Sequence, residues 1–222
     1  MYYLEDIIDE TQVMRIVSPE EFDRMMAQGW RSMGDCFMRH SFSVYNKLIC
    51  RAIPLRIRLS EFNYAKRHLK IIKQNAHLQI QFDPISLTNH HRALFKRHTV
   101  RFAENPPSRL RLFLSDRPNK IPVKGLQCRL FDGETLPFAY SFCHIGKEAF
   151  SATYCCFEPE ARYNRYSPGI YTMLLEIEKA LELGCLYYYH GYVYDVPSSF
   201  DYKLNFEGLE AYDWKADTWN KL

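Results

Sequence analysis

Tyrosine hydroxyls and a few cations are the groups in this sequence best suited to chemistry. The run Leu186-Tyr-Tyr-Tyr-His-Gly-Tyr-Val-Tyr194 carries Tyr189 and Tyr192, and the segment Asp201-Tyr-Lys-Leu-Asn-Phe206 sets Tyr202 beside Lys203. Phenols donate or accept hydrogen bonds and a lysine stabilises developing negative charge, so this set suits orientation and charge stabilisation. No Ser-His-Asp or Cys-His nucleophile arrangement is legible in the spacing. His190 alternates to the strand face opposite Tyr189 and reads as a packed histidine rather than a base.

A second group of candidates is cationic. Between Lys47 and Lys120 stand sixteen Lys or Arg against four acids, an asymmetry that the net charge of +3 hides. Five histidines (His68, His77, His90, His91, His98) and the aromatics Phe62, Tyr64, Phe82 and Phe95 interleave with these cations. A solvated basic face is the plain reading. The mixture also suits phosphate contacts combined with stacking on unpaired bases, as single-stranded RNA ends require. Arg56 and Arg58 alternate onto one strand face and could meet a common anion, and Lys66 and Arg67 lie in a basic amphipathic helix.

The elements that must position these groups follow from periodicity and punctuation. Ser18-Pro-Glu-Glu21 is a helix start, and that helix should reach Gln28 and stop at Gly29. A strand over 53–59, a helix over 60–75, a short strand over 77–82 and a helix from Ser86 to about Phe102 come next, the last broken by Asn105-Pro-Pro-Ser108. Arg117-Pro-Asn-Lys-Ile-Pro122 reads as a linker, which sets residues 1–120 apart from a core over 121–222. Three strand-like runs (125–131, 136–144, 149–157) form a meander with turns at Asp132-Gly133 and Gly146-Lys147. A helix from Ser167 to Leu183 turns Ile170, Met173, Leu174, Ile177 and Leu181 inward and Glu176 and Glu178 to solvent, with Gly184 closing it. Strands from Leu186 and from Tyr202, and a further run over 209–214, complete the chain. The expected class is α/β of the α+β type, a mixed, largely antiparallel sheet flanked by helices. Its ordering is that of GNAT-type acyltransferases.

Composition sets outer bounds. The chain has 222 residues, 47% hydrophobic and 15% aromatic, enough for a real core. No apolar run nears the roughly 20 residues that span a bilayer. The start, acidic and without a signal pattern, points to a cytoplasmic protein. Seven cysteines without a Cys-x-x-Cys pair read as reduced, structural thiols, so neither metal nor cofactor is expected.

The order of these motifs resembles the aminoacyl-tRNA–protein transferases, the arginyl transferases and their bacterial leucyl-transferring relatives. Gln28-Gly-Trp-Arg31 with Gly34 looks like the family's Gly-Trp-Arg-Arg-x-Gly element. Cys50-Arg-Ala-Ile-Pro-Leu-Arg56 looks like its Cys-x-x-Ile-Pro-Leu-Arg strand, and Phe138 to Pro159 has the layout of its paired strands. The Ser-x-Gly helix, Tyr-Tyr-x-x-Gly-Tyr strand and Tyr-Lys-x-x-Phe segment follow in family order, so the match covers most of residues 25 to 210. Two departures stand out. The family's cysteine cluster is reduced to Cys50, which puts metal or iron–sulfur binding in doubt, and its Ser-Leu-Gly is Ser167-Pro168-Gly169 here.

The resemblance implies transfer of an amino acid from aminoacyl-tRNA to the α-amine of a protein with an acidic N-terminus. The donor is already an activated ester, so positioning could supply most of the acceleration. On this reading Lys203 and Arg31 serve the acceptor carboxylate or an oxyanion, and Tyr189, Tyr192 and Tyr202 orient the reactants. Arg56, Arg58, Lys66, Arg67, Arg165, Ser167 and Gly169 serve the tRNA. Two other readings stay open: a GNAT-type N-acyltransferase using a small donor such as acyl-CoA, and a non-catalytic RNA or tRNA binder. Arg165-Tyr-Ser-Pro-Gly-Ile-Tyr171 has one glycine and a proline that donates nothing, a poor pyrophosphate cradle.

Overall fold

A computed structural model describes residues 7–102 and 106–222; the beginning of the acidic start and Asn105 of the expected breaker lie outside these residues. In chain order the elements are β1 (Asp9–Val13), α1 (Pro19–Ala27), β2 (Arg31–Met33), β3 (Cys36–His40), β4 (Phe42–Tyr45), β5 (Leu48–Arg58), α2 (Lys66–Gln74), β6 (Gln79–Pro84) and α3 (Asn89–Thr99). There follow β7 (Lys124–Phe131), β8 (Ala139–Ile145), β9 (Ala149–Phe157), α4 (Ala161–Asn164), α5 (Pro168–Glu182), β10 (Tyr187–Tyr194), β11 (Leu209–Asp213) and β12 (Thr218–Lys221).

One sheet organises the molecule, in the order β12-β11-β5-β10-β9-β8-β7-β6 with β4 paired to the outer end of β5. Every pairing in it is antiparallel except β10 with β9. The expected class therefore stands. A small sheet, β1-β3-β2, lies apart. Strands from both sides of the 117–122 linker enter the large sheet: β6 pairs with β7 across it, and β5 sits between β10 and β11.

Local signals explain several boundaries. Ser18 caps α1 by accepting the Glu21 N–H at 3.1 Å. Asp23, on the same helix, accepts the N–H groups of Lys147, Glu148 and Ala149 at 3.1, 2.9 and 2.9 Å, which locks the β8–β9 turn to α1. Below the sheet, α5 packs Met173, Leu174, Ile177 and Ala180 against Leu55, Ile57, Phe150 and Tyr188. Trp30 packs with Phe22, Met25 and Met26 of α1 and with Phe37.

Three expectations need correction. Residues 201–205 form a 3-10 turn and not a strand, because Asp201 accepts the Ser198 N–H at 3.0 Å and the Ser198 hydroxyl at 2.7 Å and so curls the chain. Glu176 is buried at 1% exposure whereas Leu181 is 44% exposed. The inward arc of α5 runs through Thr172, Glu176 and Ala180, spaced by four residues, so position 176 faces the sheet although Glu178 does face solvent. The four short strands β1 to β4 and the C-terminal β12 were not expected at all.

Candidate functional site

The sheet opens where its only parallel pair ends. β9 and β10 are paired at Tyr187–Ala149, Tyr188–Phe150 and Tyr189–Ser151, after which β9 stays with β8 and β10 with β5. Along β9 the residues after the split, Ala152 to Cys155, are half-buried. On β10 the split coincides with a bulge, where the register against β5 shifts between Tyr189 and Gly191. Gly191 has φ +100°, and a Cβ built there would lie 2.9 Å from Lys203 Nζ and 3.8 Å from an Arg31 nitrogen. The glycine lets two cations close on the strand.

Arg31 enters from β2, directly after α1 has stopped at Gly29, and Lys203 enters from the 201–205 turn. The Arg31 guanidinium lies 4.4 Å from the Tyr192 ring centre. Lys203 Nζ donates to the Tyr192 carbonyl at 3.3 Å and lies 4.9 Å from the Phe200 ring centre. Among the described residues neither cation has a carboxylate partner. Burial, and then the neighbouring Arg31, lower the Lys203 ammonium to about 7. Two adjacent, half-buried cations of this kind gain from an anion between them.

Clefts flank Arg31. One is lined by Met26, Trp30, Leu55, Ala152, Tyr189 and Gly191 among others, and the second by His40, Pro54, Tyr192 and Trp214 among others. No aspartate or glutamate lines either of them.

Arg31, Tyr192 and Lys203 thus come together. Tyr202 sits one residue before Lys203 with its ring 36% exposed. Tyr189 lines the first cleft but spends its hydroxyl on Arg56, from which it accepts at 3.2 Å; it is buried in the Trp30 cluster, and burial raises its hydroxyl to about 12. Arg56 and Arg58 do share an anion, and it is Glu210 of β11, at 2.5 and 2.6 Å. Arg56 is itself buried between the Tyr187 ring at 3.9 Å and the Trp219 ring at 4.5 Å.

On α2, Lys66 is exposed, while Arg67 donates to the Asn205 carbonyl and ties the helix to the turn that bears Lys203. Arg165 donates to the Tyr166 hydroxyl at 2.5 Å, which in turn donates to Asp132 at 2.8 Å. Ser167 takes φ +47° before α5. The Ile170 and Tyr171 N–H groups both return to the Ser167 carbonyl, at 3.0 and 2.9 Å, and Pro168 has none. Among the described residues Gly169 alone keeps a free amide in that first turn, too few for a pyrophosphate.

Sequence reasoning missed the support beneath the site. Glu176 accepts from the Ser141 hydroxyl and, at 2.5 Å, from the Tyr188 hydroxyl, and burial raises it to about 7. Tyr188 lies parallel to His190 with ring centres 5.8 Å apart, and His190 Nε2 is 3.4 Å from the Lys203 carbonyl. Burial, and then Lys203, hold His190 neutral, at about 3. A glutamate flanked at four-residue spacing by Thr172 and Ala180 was the available signal for Glu176.

Comparison with known proteins gives this geometry a context. The family described as arginine-tRNA-protein transferase, C terminus, matches residues 88–213. An aspartate/glutamate leucyltransferase of Chromohalobacter salexigens is 30% identical over 199 residues, covering 86% of this chain and 76% of that protein. One from Leptospira interrogans is 26% identical over 218 residues, covering 91% and 79%. Among solved structures, L-PGS from Bacillus licheniformis superposes with a TM-score of 0.48 at 12% identity, over 82% of this chain and about half (53%) of that one. The last similarity is too distant to bear on function. The first two, a family match over more than half of the chain and a relative 30% identical along most of its length, show that the chain belongs to the arginine-tRNA–protein transferase family and is an aminoacyltransferase.

Proposed function

We propose that this chain takes an amino acid from aminoacyl-tRNA and joins it to the α-amine of a protein whose first residue is aspartate or glutamate, with the acidic side chain lodged between Arg31 and Lys203. The pair of half-buried cations beside Gly191, without a carboxylate partner among the described residues, carries this reading. The names of the relatives agree with it. Tyr192 lies against both cations and lines the second cleft, placed to orient the ester or the amine. Tyr202 stands beside Lys203 in the turn.

The relatives that this chain resembles are named aspartate/glutamate leucyltransferases. Leucyl-tRNA is therefore the proposed donor. Its acceptor end would be steered by exposed cations such as Lys66, Lys70 and Arg165, with Ser167 and Gly169 at the start of α5 as the adjoining contact. Arg58, only partly covered, can join them, whereas Arg56 supports the site from behind. The acyl-CoA alternative is disfavoured by the single free amide at that helix start.

The test is transfer from separately charged leucyl- and arginyl-tRNA to peptides that begin with Asp, Glu, Asn or Ala. We expect leucine on the Asp and Glu peptides. Equal labelling of all four peptides would remove the anion site from the reading, and tRNA binding without transfer would favour the non-catalytic alternative.

A further inference from the structure

At neutral pH an N-terminal α-ammonium, whose ordinary pKa is about 8, is mostly protonated and has no lone pair with which to attack an ester. A base must take its proton. The groups that face the cation pair leave few choices. Arg31 from β2 is a permanent cation, and Tyr192 from β10 is a phenol that touches both cations through its ring. His190, also on β10, is buried against Tyr188 and Phe206 and reaches Lys203 at its backbone carbonyl. His40 from β3 meets the edge of Tyr192 at 5.7 Å, and burial followed by Arg31 lowers its pKa. In the loop itself Asp195 accepts the Arg51 N–H at 2.7 Å and Asp201 is held by Ser198, while Glu176 is bonded to Ser141 and Tyr188.

Building on the acceptor site proposed above, we propose that Lys203, in its uncharged form, takes the proton of the acceptor α-ammonium, and that the acceptor's own carboxylate, held by Arg31, makes this transfer favourable. One N–H bond of the ammonium breaks with its electron pair staying on the α-nitrogen, and a new N–H bond forms at Lys203 Nζ. Total charge is unchanged. The new lysine ammonium then lies against the carboxylate, which supplies the counter-charge that the site itself lacks.

The geometry supports this order of events. Lys203 Nζ is enclosed, sits beside Arg31, and has one carbonyl and two aromatic rings around it, surroundings that hold a lone cation poorly. In aspartate and glutamate the carboxylate and the α-amine belong to one residue, so a nitrogen that touches the first is within reach of the second. A neutral first residue brings no counter-charge, and its proton would have to enter a site already occupied by a cation. Acidic acceptors are then selected in kcat as well as in KM.

The experiment compares wild type, Lys203→Arg and Lys203→Met in transfer to an Asp-initiated peptide across pH 5.5–9.5, with thermal melts as a check on folding. An arginine keeps the charge and cannot serve as a base. We expect Lys203→Arg to hold KM within about threefold while kcat at pH 7 falls about 10²- to 10³-fold, in the range of lost general-base catalysis. Its rate should climb with pH as solution supplies the free amine. Lys203→Met should lose binding as well. Wild-type kcat in Lys203→Arg overturns the proposal and leaves the acceptor site standing, whereas wild-type protein that modifies no acidic peptide overturns both.

A measurement on wild type alone guards against a variant that does not fold. At pH 7, N-acetylated Asp peptide should draw about half a proton from the buffer on binding, since Lys203 is near its midpoint. The same peptide with a free amine should draw none and release about 0.4 of a proton, because an ammonium about 0.9 protonated meets a lysine about half protonated and the complex keeps one proton. Equal uptake in calorimetry run in two buffers of different ionisation enthalpy overturns the proposal.

Discussion

Gly191 has two reasons to remain a glycine, its φ of +100° and Lys203 Nζ, which stands 2.9 Å from where a Cβ would lie. Holding a non-glycine residue in that conformation costs about 1–3 kcal/mol. We expect Gly191→Ala to lower the thermal midpoint by that equivalent and to raise the KM for acidic peptides at least about tenfold by displacing Lys203. An unchanged KM would move the acceptor site away from Lys203. Tyr202→Phe removes a hydroxyl from a ring that is already 36% exposed, so its melting temperature should hold. A tenfold fall in kcat at constant stability would make that hydroxyl a participant, and wild-type turnover would make it a bystander. The cation pair was legible in the sequence because two motifs carry it. Glu210 was not, since nothing in one sequence says which carboxylate an inward-facing arginine will meet.

Among the elements, α5 carries a charge that its amphipathic pattern conceals. Glu176 is raised from its ordinary 4.5 to about 7, so between those values the folded chain keeps a proton that the unfolded chain has lost. Stability from this group is therefore full below pH 4.5 and declines as pH rises through 7, by about 3 kcal/mol at most. Burial lowers His98 and His144 to about 4 and His190 to about 3, and these act in the opposite sense, giving up stability as pH falls below 6.5. We expect the difference in unfolding free energy between wild type and Glu176→Gln to change across pH 4.5–7, in urea melts, and to be flat below pH 4. A difference independent of pH would mean that the carboxyl ionises normally. Long periodic segments such as α5 and β7 to β9 were readable from spacing. The 201–205 turn was not, because Tyr202 and Phe206 favour a strand and only the bonds of Asp201 to Ser198 override them. β1 to β4 are short, pair locally and lack a clean alternation of buried and exposed residues.

Across the whole molecule, the basic surface divides into cations that are free to meet a polyanion and cations already engaged. Lys66 and Lys70 on α2 are exposed, whereas Arg56 is buried on Glu210. In filter binding with charged tRNA, Lys66→Ala should reduce the slope of log affinity against log salt by about 0.9 if it meets a phosphate. Arg56→Ala should leave that slope alone and instead cost about 1.5–3 kcal/mol of stability, since buried Glu210 loses one of its two arginines and keeps Arg58. A slope that is flat in wild type would end the tRNA-binding interpretation of this face. Composition showed the excess of positive charge but not this division, which depends on the sheet bringing residue 56 beside residue 210.

That sheet order also bears on how the protein comes to exist in a cell. β5, finished by residue 58, has its final neighbours in β10 and β11, which end at residues 194 and 213. A ribosome adding about 5–20 residues per second leaves β5 waiting many seconds for both of them. During that interval its arginines have no Glu210 and its apolar face has no α5. The nascent chain thus carries an unpaired inner strand that invites a chaperone or a neighbouring polysome product. Arg31, made early, meets Lys203 only near the end of synthesis, so a fragment ending before residue 203 lacks half of the proposed anion site.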